Sequence, residues 1–524
     1  MTDAPMSAQA AQAPRTAPTA RTAADRMRVV CAAALAMGVA GDLLLRDGDP
    51  PRLGVALWLV VVVIAAIVAI SAGHRASESG APEASTRERT LLLVALLLAG
   101  AALVLRDDPR LFAIDFLSIL GIGALLAWDT DGVRLARFRI DDSVRATFAA
   151  VRTALTGAPG VLRAALTTDE DAGALSARRA RRRDFAVGAV LAVPPLLIAA
   201  SLLGSADPVL GEWFARWTDL ISEDTIEHLL VISVIGWASA GWLRSLTSDA
   251  LQAVPAADPL RANTAFARLA PSLYGLSALL AIFLGLQARV LFGGAAYLAA
   301  TAGLTVAEYA RSGFFDLVAV TAVVLGVLLI ADRVIDQGDD AGTRHFRTAG
   351  VLLLVLVTVL IASAVARMAL YVSYFGLTTD RLYALFAMLG IAVLLGWFGW
   401  TVLRGQRARF GPGLVVATGA WVLLLNIAAP EAIVVRVNVA RAVQGHPFDV
   451  AYHRKLSADA LPALYDALRV LPVVSCVQLR EELLIELRVA RFAPRVWQEW
   501  NLPRRWSRVS GPSMDRCGTV AAKP

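Results

Sequence analysis

The feature that most constrains this chain is a series of long, nearly uninterrupted apolar runs. A helix rises about 1.5 Å per residue, so about 20 apolar residues carry it across a hydrocarbon core of about 30 Å. Runs of this kind fall at residues 29–45, 53–72, 90–105, 111–128, 185–206, 226–242, 272–290, 313–331, 348–370, 382–403 and 413–427. They are apolar all round rather than on one stripe, as lipid-exposed helices must be. Inside a bilayer every backbone N–H and C=O needs a partner, and a helix supplies them all within one segment. The expected fold class is therefore all-α: a polytopic helical membrane protein with about eleven transmembrane helices and a small helical C-terminal extramembrane part. Charged residues are 18% of the chain, against about 25% in a soluble domain, and they cluster between the apolar runs.

That clustering sets the orientation. With the N-terminus cytoplasmic, cytoplasmic segments hold about 27 Lys and Arg and the external loops about nine. The opposite orientation reverses the ratio, so the positive-inside bias predicts a cytoplasmic N-terminus and an extracytoplasmic C-terminus. Five segments follow. Residues 1–28, rich in Ala, Pro and Thr, read as a disordered cytoplasmic N-terminus. Residues 29–128 hold four spans, the third and fourth joined tightly through Arg106-Asp107-Asp108-Pro109-Arg110. Residues 129–184 form a cytoplasmic loop with an amphipathic stretch (Val144, Phe148, Val151, Leu155) and the basic run 178–183. Residues 185–430 are a seven-span core, and 431–524 a helical C-terminal part. The formal net charge of +7 belongs to arginines flanking apolar runs. It points to the lipid bilayer as partner, with anionic lipid at the cytoplasmic face, and not to nucleic acid. A partner membrane protein is left open.

In the C-terminal part, Ser457 to Pro462 has the composition of a helix start, and residues 474–489 read as a second amphipathic helix. Cys476 and Cys517 are the two cysteines outside the apolar runs. If that part is extracytoplasmic they are disulfide candidates. No metal-ligand spacing is present, the five histidines are scattered, and no cofactor is expected. Catalytic signatures such as a Walker loop, Gly-Xaa-Ser-Xaa-Gly or His-Glu-Xaa-Xaa-His are absent from the sequence.

One region is distinctive. It comprises residues 287–294, the run Glu308-Tyr309-Ala310-Arg311-Ser312-Gly313-Phe314-Phe315-Asp316-Leu317, the segment 374–383 opening the tenth span, and Asn438-Val439-Ala440-Arg441 with Asp449-Val450-Ala451-Tyr452. Over roughly residues 185–471 the chain resembles the bacterial membrane family called domain of unknown function 4173, related to the group numbered 4153. The resemblance implies a helical membrane protein and brings no activity, substrate or cofactor. Local chemistry offers structural roles for some of these residues. Thr305 to Glu308 matches a capping box, Gly376 can end one helix, and Thr378 or Thr379 can cap the next.

Depth in the membrane singles out a further set. Ionisable groups inside spans are expensive and need partners or water. Asp115, Arg289, Glu308, Tyr309, Arg311, Asp316, Arg367, Tyr371, Tyr374, Asp380 and Arg381 all fall toward the outer ends of their spans. They are expected to form an outward-facing polar cluster, with Arg289–Asp316 or Arg289–Glu308 as its ion pair; a structural network that only fixes helix register carries equal weight. The leading functional expectation is a transport-type or envelope sensing and signalling component. A membrane-embedded enzyme acting on a lipid-linked or envelope substrate, and a scaffold for another membrane protein, are the alternatives.

Overall fold

The computed structural model describes residues 20–75, 83–128, 151–165, 223–247, 265–302, 314–335, 339–492 and 496–509, together with Cys517 and a few isolated positions between 185 and 203. Among them, 9 helices are long and apolar enough to cross a membrane, so the protein is a polytopic all-α membrane protein with a small C-terminal helical part. Nine expected spans coincide with these helices. The expected span at 185–206 lies outside the continuously described residues. The one at 313–331 falls on a helix whose described apolar stretch, Ala319–Asp332, is shorter.

The described chain runs as α1 (Ala20–Leu45), α2 (Arg52–Arg75), α3 (Glu83–Leu105), α4 (Pro109–Trp128), α5 (Ala158–Ala165), α6 (Glu223–Thr247), α7 (Phe266–Ala302), α8 (Phe314–Val334), α9 (Asp340–Phe375), α10 (Thr379–Thr401) and α11 (Phe410–Ala428). The C-terminal part continues with α12 (Pro430–Val443), α13 (Val450–His453), α14 (Leu461–Ala467), α15 (Val473–Phe492) and α16 (Leu502–Val509). These elements divide into two compact units. One comprises Met1–Arg46, Val60–Thr86 and Phe148–Leu251, the other Asp47–Leu59, Arg87–Thr147 and Gln252–Pro524.

In the first unit α1 packs along α6 and α5. Helix α1 starts ahead of its apolar run, within the stretch expected to be disordered. The Ala- and Arg-rich sequence there favours helix, and its arginines find acceptors: Arg26 donates to the Thr247 carbonyl and Arg28 to that of Ala165. The acidic start of α6 is matched by Arg46, which donates to Asp224 (2.6 Å) and Glu227 (3.0 Å). Acidic residues are also favoured at a helix N-terminus.

In the second unit α9 is the central element. Phe346, Ala349, Leu353, Val357, Leu360, Ala364 and Met368 are buried along one face of it. They recur at three- and four-residue intervals, the period of one helix face, and meet Leu273 and Leu280 of α7, Val324 and Leu328 of α8, and Met388, Leu395 and Phe398 of α10. The C-terminal helices have a separate core: Val435, Leu461, Leu464, Tyr465, Leu468, Cys476, Leu479 and Leu483 are all buried together. We call this part, from α12 onward, the cap. Cys476 and Cys517 are disulfide-bonded within it, Cα atoms 5.8 Å apart.

Candidate functional site

The second unit carries a dense buried polar seam, and it starts at the link between α3 and α4. Pro109 takes the first helical position of α4, where its missing N–H is not needed. Asp108 caps that helix, its Oδ1 accepting from the Arg110 amide at 2.8 Å. Its other oxygen, Oδ2, accepts from the Tyr383 hydroxyl of α10 at 2.7 Å. Asp107, beside it, is buried and heavily engaged. Its Oδ1 accepts from Asn501 (2.8 Å) and Arg504 (2.9 Å), and its Oδ2 from the Ala458 amide (3.1 Å). Arg52, 1% exposed at the start of α2, donates to the carbonyls of Arg106 and Asp107 and lies 3.6 Å from the Asp107 carboxylate.

The cap answers with carboxylates of its own. Asp459 Oδ2 accepts both the Asp107 and Asp108 amides, at 2.8 and 2.9 Å. Two orphan amides of a helix start are thus satisfied by a residue far along the chain. Glu431, in the first turn of α12, accepts from the amide and the hydroxyl of Ser457. Ser457 in turn caps the short 3-10 turn Ala458–Ala460. Burial is the main force on these acids. It pushes the Glu431 carboxyl up to about 7, with the Asp108 and Asp459 charges acting the same way and the Ser457 bonds opposing. Burial likewise raises Asp459, against the pull of the Asp107 and Asp108 amides.

A second joint lies between the cap and the α9–α10 link. Gly376 ends α9 with φ +79°, a conformation open to glycine and strained for other residues. A Cβ there would also lie 2.8 Å from Asn438 Oδ1. Asn438 of α12 uses its side-chain amide like a strand edge: Oδ1 accepts the Leu377 amide and Nδ2 donates to the Leu377 carbonyl, at 2.8 and 2.7 Å. Its Nδ2 also lies 3.2 Å from Nε2 of the buried His453, whose Nδ1 is 2.6 Å from the Asp449 carbonyl. A carbonyl only accepts, so Nδ1 carries the proton and Nε2 receives the Asn438 bond. Burial lowers the His453 pKa, in keeping with a neutral ring. Thr378 caps α10 through the Arg381 amide, and the hydroxyl oxygen of Tyr452 accepts from the Thr379 amide at 2.8 Å.

The residues singled out by membrane depth distribute unevenly. Asp380 pairs with Arg110. Arg381 lies over the Tyr371 ring at 4.2 Å and donates to the Gly376 carbonyl. Tyr374 is exposed, and its carbonyl accepts from Arg441 at 3.1 Å. Asp115 is buried nearly two turns into α4 and accepts from Asn426 Nδ2 at 2.8 Å. Arg367 sits one turn before Tyr371 on α9. Arg289, Glu308, Tyr309, Arg311 and Asp316 lie outside the described side chains, as does the capping box at 305–308. Reading by depth did not select Arg52, Asp107, Asp108, Tyr383, Glu431, Asn438, His453, Asp459, Asn501 or Arg504. One signal was there to find part of the set: the paired acids Asp107 and Asp108 in a short link between two apolar runs.

No grouping of His, Cys, Asp and Glu suited to a metal ion occurs among the described residues. Chemically, the arrangement exchanges hydrogen bonds between the span ends and the cap. The cap's Asp459 accepts the amides of the α3–α4 link, and the link's Asp107 accepts from Asn501, Arg504 and the Ala458 amide of the cap. A family model described as "Domain of unknown function (DUF4153)" matches residues 91–467. That is the related group of the two named above, and the match starts earlier than the resemblance, taking in α4 and most of α3 with their polar link. No curated protein and no solved structure matches the chain.

Proposed function

The chain belongs to the DUF4153 family, and from that premise we propose that it is a sensing or signalling component of the bacterial cytoplasmic membrane, its cap outside and its N-terminus inside. The reading uses eleven spans, two of them at 185–206 and 313–331, and the arginine bias of the loops. One observation carries it: Asp459 of the cap holds the amides of Asp107 and Asp108 on the α3–α4 link, so a change in the cap reaches the span ends directly. Both oxygens of Asp107 and of Asp108 are engaged by protein donors. That suits a coupling element better than a general acid or base, which must face its substrate. It also favours signalling over transport, in which charged groups line a path near mid-bilayer.

The sided arrangement has a simple check. Reporter fusions after Gly411 and after Gly445 are expected to report opposite faces of the membrane, cytoplasmic and external respectively. Two cytoplasmic reports would place the cap inside and end the proposal in this form.

The sensing step is expected to involve Glu431. Its carboxyl is raised to about 7, against about 4.3 for an unperturbed glutamate. The stability tied to it is complete below the lower value and is lost as pH rises through the upper one. Asp459, also raised, acts with the same sign. His453, lowered, acts with the opposite sign: its contribution is present above about pH 6.5 and is lost as pH falls. Comparing Glu431→Gln with the parent isolates the first. From pH 5 to 8 the variant should gain about 2–3 kcal/mol of unfolding stability relative to the parent. Hydrogen exchange at residues 106–110 should rise with pH in the parent and respond less in the variant. Equal exchange in the two proteins across that range would remove the cap-to-span coupling.

A further inference from the structure

At the end of α9 away from the seam, a groove of about 480 Å³ opens between α9 and α10. Arg347 and Arg404 stand at one end of it, and Val351, Leu354, Val355 and Val359 line its length. The walls are apolar beyond what the side-chain names suggest. Thr358 turns its hydroxyl back onto the Leu354 carbonyl at 2.7 Å, which removes that group from the groove. Gly399 opens the slot, since a Cβ there would come within 2.9 Å of Leu354 Cδ1.

Charge is concentrated at the mouth. The Arg404 guanidinium lies 3.9 Å over the half-exposed Trp400 ring, a pairing that holds it in place. Nearby Arg407 is already matched by Asp332 at 2.6 Å. Among the described residues, Arg347 and Arg404 have no acidic partner. Tryptophan and arginine at one level mark a membrane–water interface. From Arg347 to Val359 the helix rises roughly 18 Å, close to the roughly 15 Å of one leaflet's hydrocarbon.

We infer that this groove holds one anionic phospholipid, its phosphate on Arg347 and Arg404 and one acyl chain along Val351, Val355 and Val359. Guanidinium groups suit a phosphodiester, offering paired donors to its oxygens. A net negative headgroup completes the charge match, and a zwitterionic one does not.

Native mass spectrometry of the full chain in detergent, with dioleoylphosphatidylglycerol or dioleoylphosphatidylcholine added, tests this. The parent should retain the phosphatidylglycerol in preference. Each basic residue near an anionic group is worth about a fivefold factor. Arg347→Gln with Arg404→Gln should therefore weaken retention of phosphatidylglycerol about thirtyfold and leave the choline lipid unaffected. Val355→Trp, with both arginines kept, should also weaken it by filling the groove. Glycerol 3-phosphate at matched concentration should not displace the lipid. Equal retention of the two lipids by the parent would overturn the inference. So would retention of phosphatidylglycerol untouched by either variant, or displacement by glycerol 3-phosphate, which would mark a site for free anions.

Discussion

Asp107→Ala is expected to destabilise the protein by about 3–5 kcal/mol, the cost of removing one side of a buried, hydrogen-bonded ion pair. The substitution strips acceptors from Asn501, Arg504 and the Ala458 amide. It also leaves Arg52, 1% exposed, without the carboxylate 3.6 Å away. The cost comes chiefly from the donors left behind in a dry site, because a buried polar group without a partner forfeits its hydration. Asp107→Asn is the informative companion. It keeps shape and one acceptor while losing the charge, and should fall between alanine and the parent. Asp380→Ala removes the exposed partner of Arg110 and should cost less than about 1 kcal/mol, as surface pairs do. Unfolding by denaturant in detergent micelles provides the comparison. If Asp107→Ala and Asp380→Ala proved equal, the seam would be solvated and would not be a coupling element.

The contrast between those two aspartates shows what sequence reading reaches. Asp380 was singled out because it stands immediately ahead of the run at 382–403, in the distinctive segment 374–383. Asp107 and Asp108 were read only as a tight link between two runs. Their partners are remote: Asp459 is 352 residues from Asp107, and no periodicity or spacing rule spans that distance. Local chemistry fared better. The Thr378 cap and the glycine ending α9 appear as expected, since capping depends on residues within one turn. The spans were legible for the same reason that they exist, because hydrocarbon leaves the backbone little choice. Helix α1 shows the limit of that rule: it extends ahead of its apolar run, held by acceptors on α5 and α6 that hydropathy does not see. Asn438 and His453 escaped because a lone amide or imidazole in sequence carries no direction. Only folding shows that one asparagine bridges a link and a ring.

Loss of the Cys476–Cys517 bond is expected to cost the cap about 4 kcal/mol, by the chain-entropy argument for a loop of this length, given the sequence separation of 41. The bond matters because of where it is anchored. Cys476 is fully buried, within the core of Leu464, Leu468, Leu479 and Leu483, and Cys517 packs against that core. The cap is small, and small cores rely on such staples. Cys517→Ala should lower the unfolding midpoint of the cap, and reductant should lower the parent to the same level while leaving the variant unchanged. The same residues report the compartment. A disulfide persists in an oxidising space and is reduced in the cytoplasm. In acid-quenched cells, Cys476 and Cys517 should resist alkylation until reductant is added after denaturation, whereas Cys31, unpaired on α1, should react once denatured without it. All three cysteines reacting alike would put the cap on the reducing side. The stability measurement and the trapping measurement are independent: a cap that needs its bond in solution but is found reduced in cells would refute the sidedness and leave the fold intact.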